Sequence, residues 1–361
     1  MASNVSVEPQ KMLYRMLGNT GLQVSVLSFG FWATFGAKED LCDQDGIDAA
    51  KKIMTLARKG GVNLFDNAET YGNPQGAAET IMGEALSQLR SEDPSLWRRS
   101  DILVTTKIFW GGGGVNEKGL SKKHIMEGMR SSLERLQMDY VDLYLVHFPI
   151  SLKYVPFETR YPPEWIHDPD AETPKMEVVK VPMQETWEAM EGLLPLGLVK
   201  NIGVCNFNTA GLRDLLSYAN EPPAVLQVEL HPYNQQPKLL RYCQEEGIAV
   251  TGFSPLGAGS YIELNMATAD DSALTNPEIN ELATVKGVSP AQLILRWALQ
   301  RGISIVPKST QEARLKQNLD LDGFELSGEE MATMAVLDQG RRYNDPGVFC
   351  LGMGAFCPIY D

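Results

Sequence analysis

A chain of 361 residues, 43% hydrophobic and 22% charged, carries enough apolar side chain to bury one sizeable core. Its formal net charge of -14 excludes nucleic acid as a main partner, since phosphate backbones are gripped by basic surfaces, yet it leaves room for an anionic cofactor in a local basic pocket. The five cysteines, Cys42, Cys205, Cys243, Cys350 and Cys357, contain no C-x-x-C pair, and no apolar run reaches membrane length, so a reduced, cytoplasmic protein without membrane contact is expected.

Residues 1–12 have no apolar core and are expected to be flexible. Tyr14 to Leu27 alternates around Gly18-Asn19-Thr20-Gly21 and predicts a β-hairpin, of a kind that could plug a barrel bottom. A first barrel strand follows at Val26 to Gly30, with Phe31-Trp32 at its end. Strands at Val62–Phe65, Ile102–Lys107 and Val141–Val146 then alternate with amphipathic helices at Ile47–Lys59, Ala77–Arg90 and Lys122–Gln137. Gly111-Gly112-Gly113-Gly114 invites a phosphate-loop reading, but Leu120 stands where such a loop needs lysine, and no G-x-G-x-x-G follows a strand.

Residues 149–182 form a long proline-rich connection, including Tyr161-Pro162-Pro163, whose position after a strand predicts a lid. Beyond it the rhythm repeats: strands at Val199–Val204, Val225–Leu230, Ile248–Phe253 and Ile303–Val306, with helices at Glu185–Leu194, Leu212–Tyr218, Lys238–Glu246 and Ser289–Arg301. Gln311–Leu319 and Phe324–Leu337 read as further helices. About eight strands separated by helices predict an α/β fold, a (β/α)8 TIM barrel with long βα loops and extra helices, in one domain spanning 1–361 with a tail at 339–361 over the pocket.

Three successive strands end in ionisable groups: Asp66 after Leu64-Phe65, Lys107 after Thr105-Thr106, and His147 after Val146. In a barrel those ends open onto the active-site face. Each residue alone has a plainer reading: a helix cap for Asp66, a rim aromatic for Tyr71, a solvated strand end for Lys107, a packed histidine for His147. Three together favour a catalytic cluster. A tyrosine such as Tyr71 is a poor proton donor unless a cation such as Lys107 stabilises its phenolate. His124, His147, His167 and His231 have no metal-ligand spacing, so no metal is expected.

These segments, with Gly203-Val-Cys-Asn-Phe207, Gln227, Ser254-Pro-Leu-Gly257 and Val306-Pro-Lys-Ser309, resemble the aldo-keto reductases. Tyr161-Pro162-Pro163, Pro223 to Glu229 and Arg342-Tyr-Asn-Asp-Pro346 are most similar to the xylose reductase branch and the related plant sugar-phosphate reductases. Phe109-Trp-Gly-Gly and Gly119 to Gln137 resemble instead the β-subunits of potassium channels, which share the fold. The resemblance implies NADPH-dependent reduction of an aldehyde or ketone, an aldose or sugar phosphate in the first place. Tyr71 would donate the proton, its pKa lowered by Lys107, with Asp66 pairing Lys107 and His147 orienting the carbonyl.

The resemblance further implies cofactor contacts from Cys205, Asn206, Gln227, Phe253, Ser254 and Leu256. It adds Lys308, Ser309, Thr310 and Arg314 near the phosphates, and Gln317 and Asn318 near the adenine. Two positions depart from the family: Phe253 replaces a tyrosine and keeps the stacking surface, while Cys205 replaces a serine and weakens one hydrogen bond. Lys308 and Arg314 suit the 2′-phosphate of NADPH, with NADH as a second cofactor. Trp32, Trp110, Phe148 and Asn344 would line the substrate pocket. A small-molecule carbonyl substrate and a monomer or homodimer are implied. The competing reading is an NADP(H)-binding, redox-sensing regulatory subunit with slow or no turnover.

Overall fold

The computed structural model describes residues 12–32, 34–35, 43–72, 75–109, 119–152, 178–262, 266–349 and 356–360. The chain enters as an antiparallel hairpin, β1 (Tyr14–Met16) and β2 (Gln23–Ser25), turned at Gly18-Asn19. Leu17 and Val24 of this hairpin are buried against Leu64, Leu103, Leu143 and Leu145. It therefore closes one end of the barrel by burying apolar side chains on the strands' inward faces. Gly18 has φ +52, and a Cβ there would lie 2.7 Å from the carbonyl oxygen of Ala224, so glycine allows the close approach.

Eight parallel strands follow. The first four are β3 (Phe29–Gly30), β4 (Leu64–Asp66), β5 (Leu103–Ile108) and β6 (Val141–Val146). Next comes a two-residue antiparallel pair, β7 (Ser151–Leu152) with β8 (Val178–Val179). The barrel resumes with β9 (Val199–Cys205), β10 (Val225–Glu229), β11 (Ala249–Phe253) and β12 (Ser304–Val306). Neighbours run β3-β4-β5-β6-β9-β10-β11-β12. The ring closes where Ser28 N–H donates to Ile305 O and Ile305 N–H donates to Val26 O, both at 2.9 Å. Strands β5 and β6 are buried at every residue, on both faces, as strands of a helix-covered parallel sheet are.

The helices between them are α1 (Gln44–Lys59), α2 (Ala77–Glu92), α3 (Lys122–Leu136), α4 (Met183–Glu191), α5 (Thr209–Leu216) and α6 (Pro237–Glu245). After the single turn α7 (Gly259–Ile262) come α8 (Pro277–Lys286), α9 (Pro290–Gln300), α10 (Glu312–Leu319) and α11 (Gly328–Ala335). One large core cluster packs the outward face of the strands against α1, α2, α3 and their neighbours, with Trp97 and Trp187 nearly inaccessible, and a second lies around α8, α9 and β12.

Among the differences from the sequence reading, three follow from caps. Asp43 accepts from Gly46 N–H and starts α1 earlier, at Gln44. Ser327 and Glu330 form a capping box, so the expected Phe324–Leu337 helix occupies only Gly328–Ala335. The stretch before Ser289, read as loop, contains α8, begun by Asn276 accepting from Ile279 N–H with Pro277 behind it. The 149–182 connection is pinned at its base by β7 and β8. Its residues 153–177, Tyr161-Pro162-Pro163 among them, lie outside the described residues, as do Gly111-Gly112-Gly113-Gly114 and Trp110.

Candidate active site

Strand alternation decides which groups meet in the barrel mouth. On β5, Thr106 points outward and donates to Glu79 of α2, so Lys107, the next residue, points inward. Its ammonium is fully buried, and its three protons have three acceptors: Asp66 Oδ2 at 2.7 Å, the Asn67 carbonyl at 2.7 Å and the Tyr71 oxygen at 3.2 Å. Asp66 uses its other oxygen to accept from Gln227 Nε2 at 2.8 Å. No polar valence of the ion pair is wasted, which is the condition for keeping two charges out of water.

The loop that carries Tyr71 is tied down before it leaves the barrel. Asn67 N–H donates to Thr105 O, Glu69 N–H to Lys107 O, and the Glu69 carboxylate accepts from Phe109 N–H at 2.6 Å. Asn67 Nδ2 reaches back to the Ala78 carbonyl at the head of α2. Tyr71 is thereby held beside β5 although it lies five residues beyond the end of β4.

Burial pushes the Lys107 ammonium downward, but Asp66 and Tyr71 outweigh it and the net shift is upward, so the cation is secure. Tyr71 corrects one expectation. Burial pushes its phenol up to about 12, and the attraction of Lys107, although it acts downward as expected, is the smaller effect. The phenol is thus a neutral donor across physiological pH, and because Lys107 donates to its oxygen, the phenolic proton is left to point at a substrate. Burial and the nearby Lys107 hold His147 well below the usual imidazole range, so it is neutral too. Its ring stands edge-on to Tyr71 with centroids 5.7 Å apart, and its Nδ1 is a buried nitrogen without a hydrogen-bond partner among the described residues.

Of the aromatic residues expected to line the pocket, Phe148 and Trp32 lie among the described residues. Phe148 is buried, stacked on His147 at 5.0 Å and tilted against Phe109 at 5.1 Å. Trp32 packs 5.6 Å from Tyr261, with Lys308 Nζ 5.3 Å over its ring. Asn344 is fixed through its main chain, its N–H donating to Glu229 Oε2 at 2.8 Å.

The residues proposed for a cofactor divide into two sets. At the strand ends, Cys205 terminates β9 with Asn206 next in the chain, Gln227 lies in β10, and Phe253 closes β11. Asn206 and Ser254 both have positive φ, at 60° and 48°, a conformation that non-glycine residues hold only where surroundings impose it. Ser254 Oγ shares a hydrogen bond with Tyr261 Oη at 3.0 Å, and Leu256 is half-buried beside them. Gln227 Nε2 also donates to Asp66, which ties this position to the ion pair. Beyond β12, Lys308 is partly exposed, and Ser309 Oγ accepts from Gln311 N–H in the turn that starts α10. Thr310, Arg314 and Gln317 are exposed, whereas Asn318 is on the buried face of α10. Amide side chains at one end and two cations at the other fit a molecule with a carboxamide and a phosphate.

Sequence reasoning missed a second buried cluster. Glu229, at the end of β10, is fully buried and accepts from His231 Nε2 at 2.9 Å, Tyr343 N–H at 2.9 Å and Asn344 N–H at 2.8 Å. Tyr343 stacks on Tyr261 with centroids 5.4 Å apart. Tyr360 was also missed: its hydroxyl donates to Asn206 Oδ1 at 3.1 Å. Only the i, i+2 pairing of Gln227 and Glu229 on one strand face hinted at the first. Nothing local pointed to the second. Among the described residues there is no cluster of groups suited to a metal ion, and no helix is long and apolar enough to cross a membrane.

Comparison with known proteins gives concordant matches. The model of the aldo/keto reductase family matches residues 26–339. The NAD(P)H-dependent D-xylose reductase I,II of Candida tropicalis is 39% identical over 335 residues, 91% of this chain and 93% of that protein. A probable NAD(P)H-dependent D-xylose reductase of Emericella nidulans is 39% identical over 340 residues, 94% of this chain and 98% of the other. Among solved structures, a Bombyx mori aldo-keto reductase in complex with NADP superposes with a TM-score of 0.72 at 28% identity, covering 93% of this chain and 96% of that one.

Proposed function

The chain belongs to the aldo/keto reductase family, and from that membership we propose that it reduces an aldehyde or ketone, in the first place an aldose or sugar phosphate, to the alcohol with NADPH. When bound, the cofactor supplies the hydride that reaches the carbonyl carbon. The chain's own residues handle the other half of the reaction, in which the carbonyl oxygen gains charge and must receive a proton. Tyr71 is assigned as the donor. As its O–H bond breaks, the electron pair stays on the phenol oxygen, where Lys107 Nζ already donates at 3.2 Å. Lys107 therefore stabilises the phenolate as it forms, a contribution that exists only along the reaction path.

Asp66 keeps Lys107 charged and aimed, and Gln227 fixes Asp66. Neutral His147 offers a hydrogen bond to the carbonyl oxygen without competing as a proton source. Phe148 and Trp32 give apolar walls, while Asn344 presents an amide to a sugar hydroxyl. Lys308 and Arg314 would take the 2′-phosphate of NADPH, and the names of the Candida and Emericella relatives support NADH as a second cofactor. The free, buried thiols of Cys205 and Cys243 suit the reducing cytoplasm proposed as its location.

The observation that carries this reading is the three-way coordination of Lys107 by Asp66, Asn67 and Tyr71. The test is NADPH oxidation followed by absorbance with xylose, a hexose, a sugar phosphate and an aromatic aldehyde, repeated with NADH. Turnover of a sugar with NADPH is the expected result. Tight NADPH binding without turnover on any carbonyl would replace the reductase with the regulatory subunit.

A further inference from the structure

A primary carboxamide such as that of nicotinamide needs an acceptor for its N–H groups and a donor for its oxygen. Under the function proposed above, that carboxamide sits at the ends of β9 and β10, where each side-chain amide has one of its two N–H protons already committed. Asn206 Nδ2 donates to the His147 carbonyl at 2.9 Å, and Gln227 Nε2 donates to Asp66 at 2.8 Å. Cys205 is a thiol, a weak donor, and its sulfur lies 4.0 Å from Gln227 Oε1. The ends of β9 and β10 supply acceptors, Asn206 Oδ1 and Gln227 Oε1, and no hydroxyl donor.

Tyr360 brings one. Its hydroxyl reaches Asn206 Oδ1 at 3.1 Å across 154 residues of sequence. The approach is built from both sides. The Arg342 guanidinium lies 3.6 Å over the Tyr360 ring, and Asn208 Nδ2 donates to the Ile359 carbonyl at 3.5 Å. Arg342 is itself next to Tyr343 and Asn344, whose main chain is clamped by Glu229. Burial holds the Tyr360 phenol above its ordinary range, so it carries its proton at neutral pH.

We propose that Tyr360 completes the nicotinamide seat, its hydroxyl turning from Asn206 Oδ1 to the carboxamide oxygen and leaving Asn206 Oδ1 to the carboxamide N–H. A phenol makes that exchange by rotation about one C–O bond, with ring and backbone unmoved. The C-terminal strap thus supplies a hydrogen bond that Cys205 makes poorly.

Protein-fluorescence titrations of the full chain test this inference, which rests on the cofactor reading above. Tyr360→Phe keeps the ring and its stacking with Arg342 while removing the hydroxyl. The expected result is a Kd for NADPH raised about five-fold, the size of one lost hydrogen bond, with the Kd for adenosine 2′,5′-bisphosphate, which has no nicotinamide, unchanged. An unchanged NADPH Kd would overturn the proposal, and so would equal weakening of both ligands, which is what a merely steadying strap produces. If the unmodified chain binds the bisphosphate but not NADPH, or neither, the cofactor reading itself falls and takes this proposal with it.

Discussion

Asp66 and Glu229 are both buried carboxylates at the C-terminal ends of barrel strands, but they are held by opposite means. Asp66 faces a cation: Lys107 at 2.7 Å neutralises it, and Gln227 adds one further bond. Glu229 faces only dipoles, two main-chain N–H groups and the Nε2–H of His231, whose Nδ1 accepts from Tyr233 N–H. A carboxylate paired with an ammonium transmits charge to whatever else the ammonium touches, here Tyr71. One ringed by backbone donors fixes the chain that supplies them, here Arg342 to Asn344. Under the proposed reaction the same chemical group would serve the proton chemistry in one place and seat the pocket wall in the other, and strand β10 joins the two through Gln227 and Glu229.

Breaking the first carboxylate site should cost most. Lys107→Met leaves Asp66 buried without its cation and Tyr71 without phenolate stabilisation, so kcat should fall by about a thousand-fold or more. Denaturant titration should show a loss of about 3–5 kcal/mol, the usual penalty for stranding one member of a buried pair. A stable, active Lys107→Met variant would undo the role given to the pair. Glu229→Ala should act more mildly and differently. With the tail's N–H groups unsatisfied, KM for the carbonyl should rise about ten-fold while kcat changes less, because the wall moves and the acid does not. Equal losses in kcat and KM would mean that the two carboxylates are not separable.

Arg314→Leu lies outside both sites and sharpens the contrast. KM for NADPH should rise about ten-fold and KM for NADH hardly at all, since only the former has a 2′-phosphate for the guanidinium. The smallest effect is expected from pH. His147, held below its ordinary value, is neutral in the folded state, so kcat should show no inflection near pH 6.5. For stability the sign is the reverse of a paired histidine. A depressed pKa means that the unfolded chain takes up a proton the native chain refuses, so the denaturation midpoint should decline as pH falls below about 6.5. A midpoint that rises there would contradict the assigned environment.

The barrel was legible because strands buried on both sides read as unbroken apolar runs, and a charge at the end of each run marks the mouth. Asp66, Lys107 and His147 announce themselves in that way. What stayed hidden depends on contacts between distant segments. The bond from Gln227 to Asp66, 161 positions away, has no local sign in the sequence. The rise of Tyr71 to about 12 follows from burial, which no count of neighbouring charges in sequence reveals. Tyr360 carries no local pattern at all. Helix α8 was missed for a simpler reason: its cap, Asn276-Pro277, is clear, but the apolar stripe that would have drawn attention to it is weak.

The central claim is that Tyr71 gives the proton while Lys107 steadies the oxygen it leaves behind. Tyr71→Phe tests it most directly, because the ring remains and only the O–H is lost. Turnover of the best carbonyl substrate and the Kd of NADPH should be measured on the same preparation. The account predicts that turnover falls by a factor of about a hundred to ten thousand while NADPH binds nearly as before. Turnover at the unmodified rate would show that another group is the acid.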